Sequence, residues 1–307
     1  MGPTASGKSA LAGELARRYG GRLLSVDSMK IYRGMDIGTA KPSAEVRREI
    51  VHYGIDVADP WKGCSFTVHD YVALADRAIA EIAAAGAPVI AVGGTHLYLK
   101  ALIEGLFDAP GESPEVRARF KARADVEGSA ALHGELTRYD PAAAARIHPN
   151  DRRRIIRALE VYELTGTPIS ELQTQWDAGR VRYDWRGVRL VRDRADGNGR
   201  INRRVERMMA AGLAAEVRRL AADERGLNDQ AAAAVGYAEI LAAGRGECTL
   251  EEAVERIKIN TRRFAKNQRT WLRRFTDAHR LELAADTDTR QAADRAAGLL
   301  GLEEGGR

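Results

Sequence analysis

Apolar residues follow two distinct rhythms along the first hundred positions. Arg22, Leu23, Leu24, Ser25 and Val26 form a short, largely apolar run that stops at Asp27. Pro88, Val89, Ile90, Ala91 and Val92 form a second, rich in β-branched residues, that stops at Gly93-Gly94-Thr95. Continuous runs of this kind, without strict alternation, predict buried strands of a parallel sheet. Around them the period lengthens to that of a helix, over 10–19 and over 68–85, where Val72, Ala75, Ile79 and Ile82 recur and Gly86 ends the pattern. Beyond Gly105 the strand signal fades. Helical patterns over 115–125, 129–139 and 152–165, separated by Gly or Pro, predict a helical insertion. Arg189, Leu190 and Val191 predict a last strand that returns the chain to the sheet, followed by helices over 201–222 and 251–275. After Arg280 the chain is acidic and Ala-rich and reads as a loosely attached helix or a disordered tail.

Chemistry enters at the N-terminus. Gly2, Pro3, Thr4, Ala5, Ser6, Gly7, Lys8 and Ser9 match the phosphate-binding pattern G-x-x-x-x-G-K-[ST]. Its glycines permit a tight turn whose N–H groups converge on diphosphate oxygens; Lys8 adds a mobile positive charge, and Ser9 a hydroxyl for Mg²⁺. Only Met1 stands before the loop, so the first strand, expected ahead of the loop, is missing. That loss predicts exposed strand edges and poor stability. Asp27 and Gly93-Gly94-Thr95 end their strands on one sheet edge, where open α/β sheets bind ligands. From spacing alone Asp27 suits two roles equally, a general base or a water-mediated Mg²⁺ carboxylate. Thr95 also suits a helix cap. The expected fold class is α/β: a P-loop-type parallel sheet core flanked by helices (1–104 and 186–280), an inserted helical domain (105–185) and a C-terminal tail (281–307).

Composition narrows the class of protein. The chain has 307 residues, 45% hydrophobic and 30% charged, which is globular rather than disordered. It shows no signal peptide and no apolar run of membrane-spanning length, so a cytoplasmic protein without a membrane partner is expected. Cys64 and Cys248 are far apart and the histidines scattered, which supports neither a disulfide framework nor a zinc site. The net charge of +5 is uneven. From Arg256 to Arg280 the charged residues are all Lys or Arg except Asp277. On a helix Arg262, Lys266, Arg269 and Arg273 share one face, with Ile257, Phe264, Trp271 and Phe275 roughly opposite. One-signed faces of this kind favour phosphate binding over plain solvation.

A longer set of segments carries a resemblance. The block from Ser25 to Pro42, with Val92-Gly93-Gly94-Thr95-His96-Leu97-Tyr98, Ile147-His148-Pro149-Asn150-Asp151, Arg157-Ala158-Leu159-Glu160, Val235-Gly236-Tyr237 and Gln268-Arg269-Thr270-Trp271-Leu272, closely resembles the tRNA dimethylallyltransferases (tRNA isopentenyltransferases, the IPP transferase family). The likeness runs in order over about residues 2–275. It implies transfer of a dimethylallyl group from dimethylallyl diphosphate to N6 of the adenosine 3′ of a tRNA anticodon, in tRNAs reading codons that begin with U. The phosphate loop would then hold an isoprenoid diphosphate, with Mg²⁺ on Ser9 as cofactor. The implied catalytic residues are Asp27 as general base and orienter, Thr95, Lys8 and Arg204, the last as a planar diphosphate clamp. The implied tRNA contacts are Asp27, Ser28, Met29, Lys30 and Thr95; Arg117, Arg153, Arg154, Ile155, Ile156 and Arg157; Val235, Gly236 and Tyr237; and Lys266, Asn267, Gln268, Arg269, Thr270, Trp271, Leu272 and Arg273. A monomer binding a tRNA anticodon stem-loop is expected. Three other readings stay open: prenyl transfer to a free adenine nucleotide, a P-loop kinase using ATP, and an RNA-binding protein with a degenerate nucleotide site.

Overall fold

The phosphate loop leads directly into α1 (Lys8–Tyr19), after which Gly20 in the left-handed region turns the chain into β1 (Arg22–Val26). The computed structural model describes residues 1–106, 111–173 and 181–302; residues 107–110 and 174–180 of the expected insertion and 303–307 of the expected tail lie outside them. After β1 come α2 (Ala44–Glu49), the two-residue β2 (His52–Tyr53), α3 (Val68–Ala84), β3 (Val89–Gly93) and α4 (His96–Glu104). Thr67 and Asp70 form a reciprocal capping box that starts α3 where the apolar period begins. α5 (Pro114–Glu127), α6 (Ser129–Tyr139), α7 (Pro141–Arg146), α8 (Arg152–Thr165) and α9 (Ile169–Leu172) follow. The chain then continues through β4 (Val188–Arg192), α10 (Arg194–Ala210), α11 (Leu213–Ala221), α12 (Asp229–Ala232), α13 (Tyr237–Gly244), α14 (Leu250–Leu272), β5 (His279–Leu283) and α15 (Thr289–Leu300). Two compact units result, residues 1–102 with 184–307, and residues 103–183. Among the described residues no helix is long and apolar enough to cross a membrane.

The first unit holds two parallel sheets, ordered β2-β1-β3 and β4-β5. In the β1–β3 register Ser25 lies opposite Val92 and Val26 opposite Gly93, so Asp27 and Gly94-Thr95 emerge side by side at the carboxyl ends. Gly93 and Gly94 are required by close approach. A Cβ on Gly93 would lie 2.0 Å from the Val26 carbonyl oxygen, and one on Gly94 2.6 Å from Gln268 Nε2 and 2.7 Å from the Gly2 carbonyl oxygen. The phosphate loop runs into α1 beside these strands. Main-chain bonds tie its start to both sheets: the Gly2 N–H donates to Gly93 O (3.3 Å) and the Leu190 N–H to Met1 O (2.9 Å).

Several sequence expectations change. Arg189, Leu190 and Val191 are not a last strand joined to the first sheet; they lie in β4, which pairs with β5, a strand that crosses the expected core boundary at residue 280. Residues 281–302, expected as a loosely attached helix or a disordered tail, pack into a core. Ala292, Ala293, Ala296 and Ala297 bury one face of α15 in the cluster that holds Leu11 and Leu15 of α1 and Leu190 and Leu281 of the second sheet. Small side chains at that spacing let the helix approach closely. β3 is only partly buried, with Ala91 exposed, because it is the edge of its sheet. The single helix expected over 201–222 is two, broken at Gly212 (φ 97°).

The second unit is a helical cluster around Phe120, Leu132, Leu136, Ile155 and Leu159. Burying each such side chain contributes about 1.5–3 kcal/mol.

Candidate active site

The phosphate loop is held open from outside. Ala5 (φ 61°) and Gly7 (φ 96°) occupy the left-handed region, turning successive peptide groups in opposite senses. Arg192 Nε donates to Ser6 O (2.9 Å) and Arg200 Nε to Ala5 O (3.0 Å), fixing the orientation of those carbonyls. The Thr4 N–H donates to Gln268 Oε1 (2.7 Å), while Gln268 Nε2 donates to Gly94 O (2.9 Å). Gly7 gives α1 no side-chain cap, so the first-turn N–H groups are left for an anion.

These groups open onto a pocket of about 780 Å³, lined by residues 5–10 and by one side of α10, including Arg200, Arg203, Arg204 and Arg207. Among the described residues Glu206 is the only acid in that lining. Burial pushes the Lys8 ammonium down to about 8, with Asp27 opposing the shift and Arg204 and Lys30 adding to it. Burial likewise lowers Arg204 and Lys30, again against the pull of Asp27. One carboxylate thus sits among three cations, in a site whose excess positive charge suits a polyanion. Sequence reasoning found Arg204 but not Arg200, Arg203 and Arg207; their spacing of three and four along α10 was the available signal.

Asp27 and Thr95 meet beside this pocket. Asp27 Oδ1 accepts the N–H groups of Met29 (2.9 Å) and Lys30 (3.3 Å), and Thr95 Oγ1 accepts that of Ser28 (3.1 Å). The Met29 side chain packs against the core that includes Tyr32, Met35 and Tyr237. The structure therefore brings Lys8, Ser9, Asp27, Thr95 and Arg204 into one region of the first unit.

The residues expected to touch RNA divide sharply by burial. Lys266, Asn267, Thr270 and Arg273 are exposed along α14, and Arg269 is half-buried, its pKa lowered by burial and then by Arg194 and Arg273. The Trp271 ring stacks on His96 (centroids 4.6 Å apart) and lies 4.1 Å from the Arg274 guanidinium carbon. Gln268 and Leu272 are buried, which leaves little of either residue to touch RNA. Phe264 reverses expectation and is 47% exposed. The buried residues of α14 are Ala253, Ile257, Ala265, Gln268 and Leu272, and half-buried Arg262 donates its Nη1 hydrogen to Asn202 of α10 (2.6 Å).

Val235 is exposed, but Gly236 and Tyr237 are buried. The Tyr237 hydroxyl donates to Glu216 Oε1 (2.5 Å), and the same carboxylate accepts the N–H groups of Asp36 (3.0 Å), Ile37 (2.8 Å) and Gly38 (3.2 Å). Glu216 therefore organises the segment after Lys30, a role sequence reasoning missed.

In the second unit Arg153 and Arg154 are exposed, while Ile155 and Ile156 are core residues. Arg117 Nε and Arg157 Nη1 both donate to buried Glu160 Oε2, at 3.0 and 2.7 Å, which fixes the two guanidinium groups in place.

Known proteins resemble this chain over most of its length. The model of the family described as IPP transferase matches residues 30–275. The chain belongs to that family. A Geobacter sulfurreducens tRNA dimethylallyltransferase is 46% identical over 289 residues, 94% of this chain and 92% of that protein. A Thermomicrobium roseum tRNA dimethylallyltransferase is 47% identical over 278 residues, 90% of this chain and 82% of that one. Among solved structures, the full-length tRNA isopentenylpyrophosphate transferase of Bacillus halodurans has a TM-score of 0.69 at 38% identity, covering 98% of this chain and 95% of that one. A eukaryotic dimethylallyltransferase acting on tRNA has a TM-score of 0.76 at 26% identity, covering 96% of this chain and 76% of that one.

Proposed function

We propose that this chain transfers a dimethylallyl group from dimethylallyl diphosphate to N6 of the adenosine 3′-adjacent to the anticodon, in tRNAs reading codons that begin with U, and releases diphosphate. The observation that carries the reading is the placement of an anion cradle beside Asp27 and Thr95 in a member of the IPP transferase family. The allylic C–O bond breaks as charge grows on the departing diphosphate. The first-turn N–H groups of α1, Lys8 and Arg204 stabilise that charge. Adenine N6 is a weak nucleophile because its lone pair is delocalised, so it must lose a proton as the C–N bond forms. Asp27 accepts that proton, and Thr95 orients the acceptor.

Mg²⁺ fits the residues present. The pocket offers the Ser9 hydroxyl rather than a ring of carboxylates, and a metal held by one protein hydroxyl, substrate phosphate oxygens and water matches the oxygen chemistry of Mg²⁺. When bound it would supply further charge neutralisation on the diphosphate.

The adenosine must leave its stack to reach Asp27, which costs less from a loop than from a duplex. The exposed cations of α14, and Arg153 and Arg154 in the second unit, supply phosphate contacts for an anticodon stem-loop. All groups given a chemical role lie in one chain, and the reading takes the enzyme as a cytoplasmic monomer. Labelled dimethylallyl diphosphate offered with an anticodon stem-loop and with AMP tests the proposal. Label on RNA supports it; label on AMP alone, or consumption of ATP in place of transfer, contradicts it.

A further inference from the structure

Gln268 belongs to a strongly basic helix, a position that invites a role in RNA binding. Its surroundings point elsewhere. The side chain is 7% exposed, and both ends of its amide are used. Oε1 accepts the Thr4 N–H at 2.7 Å, and Nε2 donates to Gly94 O at 2.9 Å. One amide thus spans from the phosphate loop to the end of β3, with α14 supplying the support. Thr4 opens the loop that cradles the anion. Gly94 adjoins Thr95, whose hydroxyl is bonded to the turn that begins at Asp27.

We infer that Gln268 is a positioning residue that sets the distance between the diphosphate cradle and the acceptor-side pair Asp27 and Thr95. The inference rests on the proposed function in taking the loop as a diphosphate site. Three observations support it independently. The amide chemistry is directional: a donor is needed toward a carbonyl and an acceptor toward an N–H, and the two ends of one uncharged amide supply both. Gly94 leaves no room for a Cβ, 2.6 Å from Nε2, so the two groups are fitted to each other. The arginine supports, Arg192 on Ser6 O and Arg200 on Ala5 O, hold the middle of the loop, which leaves Gln268 as the side-chain tie from outside for the residues ahead of Ala5 among the described residues. Reacting groups misplaced by about 1 Å can lose about a hundredfold in rate, so a strut between leaving group and nucleophile is exposed to selection on geometry rather than on RNA contact.

The test uses the full chain with inorganic pyrophosphate and Mg²⁺, and separately an anticodon stem-loop, against Gln268→Met and Gln268→Glu. Gln268→Met keeps the volume and loses both hydrogen bonds. Its pyrophosphate Kd should rise about tenfold and its turnover fall further, while its RNA Kd stays within about twofold of wild type, since the buried side chain touches no RNA. Gln268→Glu keeps the acceptor for Thr4 but presents an unprotonated oxygen to Gly94 O. Lowering the pH protonates that oxygen and restores the donor. The ratio of mutant to wild-type pyrophosphate Kd should therefore shrink from pH 8 to pH 5.5, which keeps the test decisive if Gln268→Met fails to fold. Wild-type protein that does not bind pyrophosphate would overturn the diphosphate reading, and with it this one. If wild type binds, unchanged pyrophosphate affinity and turnover in the variants, or a selective loss of RNA affinity, would overturn the strut alone.

Discussion

Asp27 and Thr95 are joined through the backbone of one turn: Asp27 Oδ1 accepts the Met29 N–H at 2.9 Å, and Thr95 Oγ1 accepts the Ser28 N–H at 3.1 Å. The turn fixes the carboxylate beside the hydroxyl without consuming its second oxygen in either of these bonds. That oxygen is the group assigned to take the N6 proton. Asp27→Asn keeps an acceptor for the turn but removes the base. Turnover should fall about 10²–10⁴-fold, with pyrophosphate affinity within about threefold of wild type by calorimetry. A collapse of pyrophosphate affinity would instead make Asp27 part of the metal site.

Lys8 gives the free enzyme a pH signature. Its ammonium titrates at about 8 in the fold, against an ordinary value of 10.5. Between those values the unfolded chain binds the additional proton, so this residue makes stability rise with pH across that window. An anion in the cradle favours the charged form, so pyrophosphate binding should take up a proton just above pH 8. Calorimetry in buffers of different ionisation enthalpy measures that uptake. It should vanish in Lys8→Arg, whose charge does not titrate there; equal uptake in both proteins would contradict the assignment.

Glu216 predicts a loss of stability rather than of chemistry. Glu216→Ala strands the N–H groups of Asp36, Ile37 and Gly38 and the Tyr237 hydroxyl in a largely buried site. The expected cost is about 3 kcal/mol or more, and about 1–2 kcal/mol for Tyr237→Phe. Denaturant unfolding of both variants measures it. Losses below about 0.5 kcal/mol, the scale of an ordinary surface change, would contradict a clamp.

The exposed cations of α14 predict salt-dependent RNA binding. Replacing Lys266 or Arg273 by Ala should weaken all RNA sequences alike. Each replacement should also lower the slope of log K against log salt by about one, the value for a single phosphate no longer neutralised. A slope unchanged in the double variant would remove α14 from the interface.

The parts legible in the sequence were those written in continuous apolar runs or fixed motifs. β1, β3 and the phosphate loop are of this kind, and the β1–β3 register then brings Asp27 to Thr95. β2 was too short to leave a pattern. β5 buries only Leu281 and Leu283 amid charged neighbours, so its alternation was hidden in an acidic context. Phe264 lies seven residues after Ile257 and shares its helical angle, yet Ile257 is buried in the cluster around Tyr237 while Phe264 is exposed, a difference in neighbours that the period does not encode. Polar residues buried by partners from distant segments were illegible in principle. Gln268 bonds to Thr4 and Gly94, and Glu216 to residues 36–38, through contacts no local period encodes.

The decisive measurement is nucleoside analysis of an anticodon stem-loop RNA, with adenosine 3′ of the anticodon, after incubation with the protein, Mg²⁺ and dimethylallyl diphosphate. A single C5H8 increment on N6 of that adenosine is expected, absent when dimethylallyl diphosphate is omitted and strongly reduced in Asp27→Asn. Unmodified RNA under conditions where the protein binds both RNA and pyrophosphate, or modification at another position, would contradict the proposed transfer.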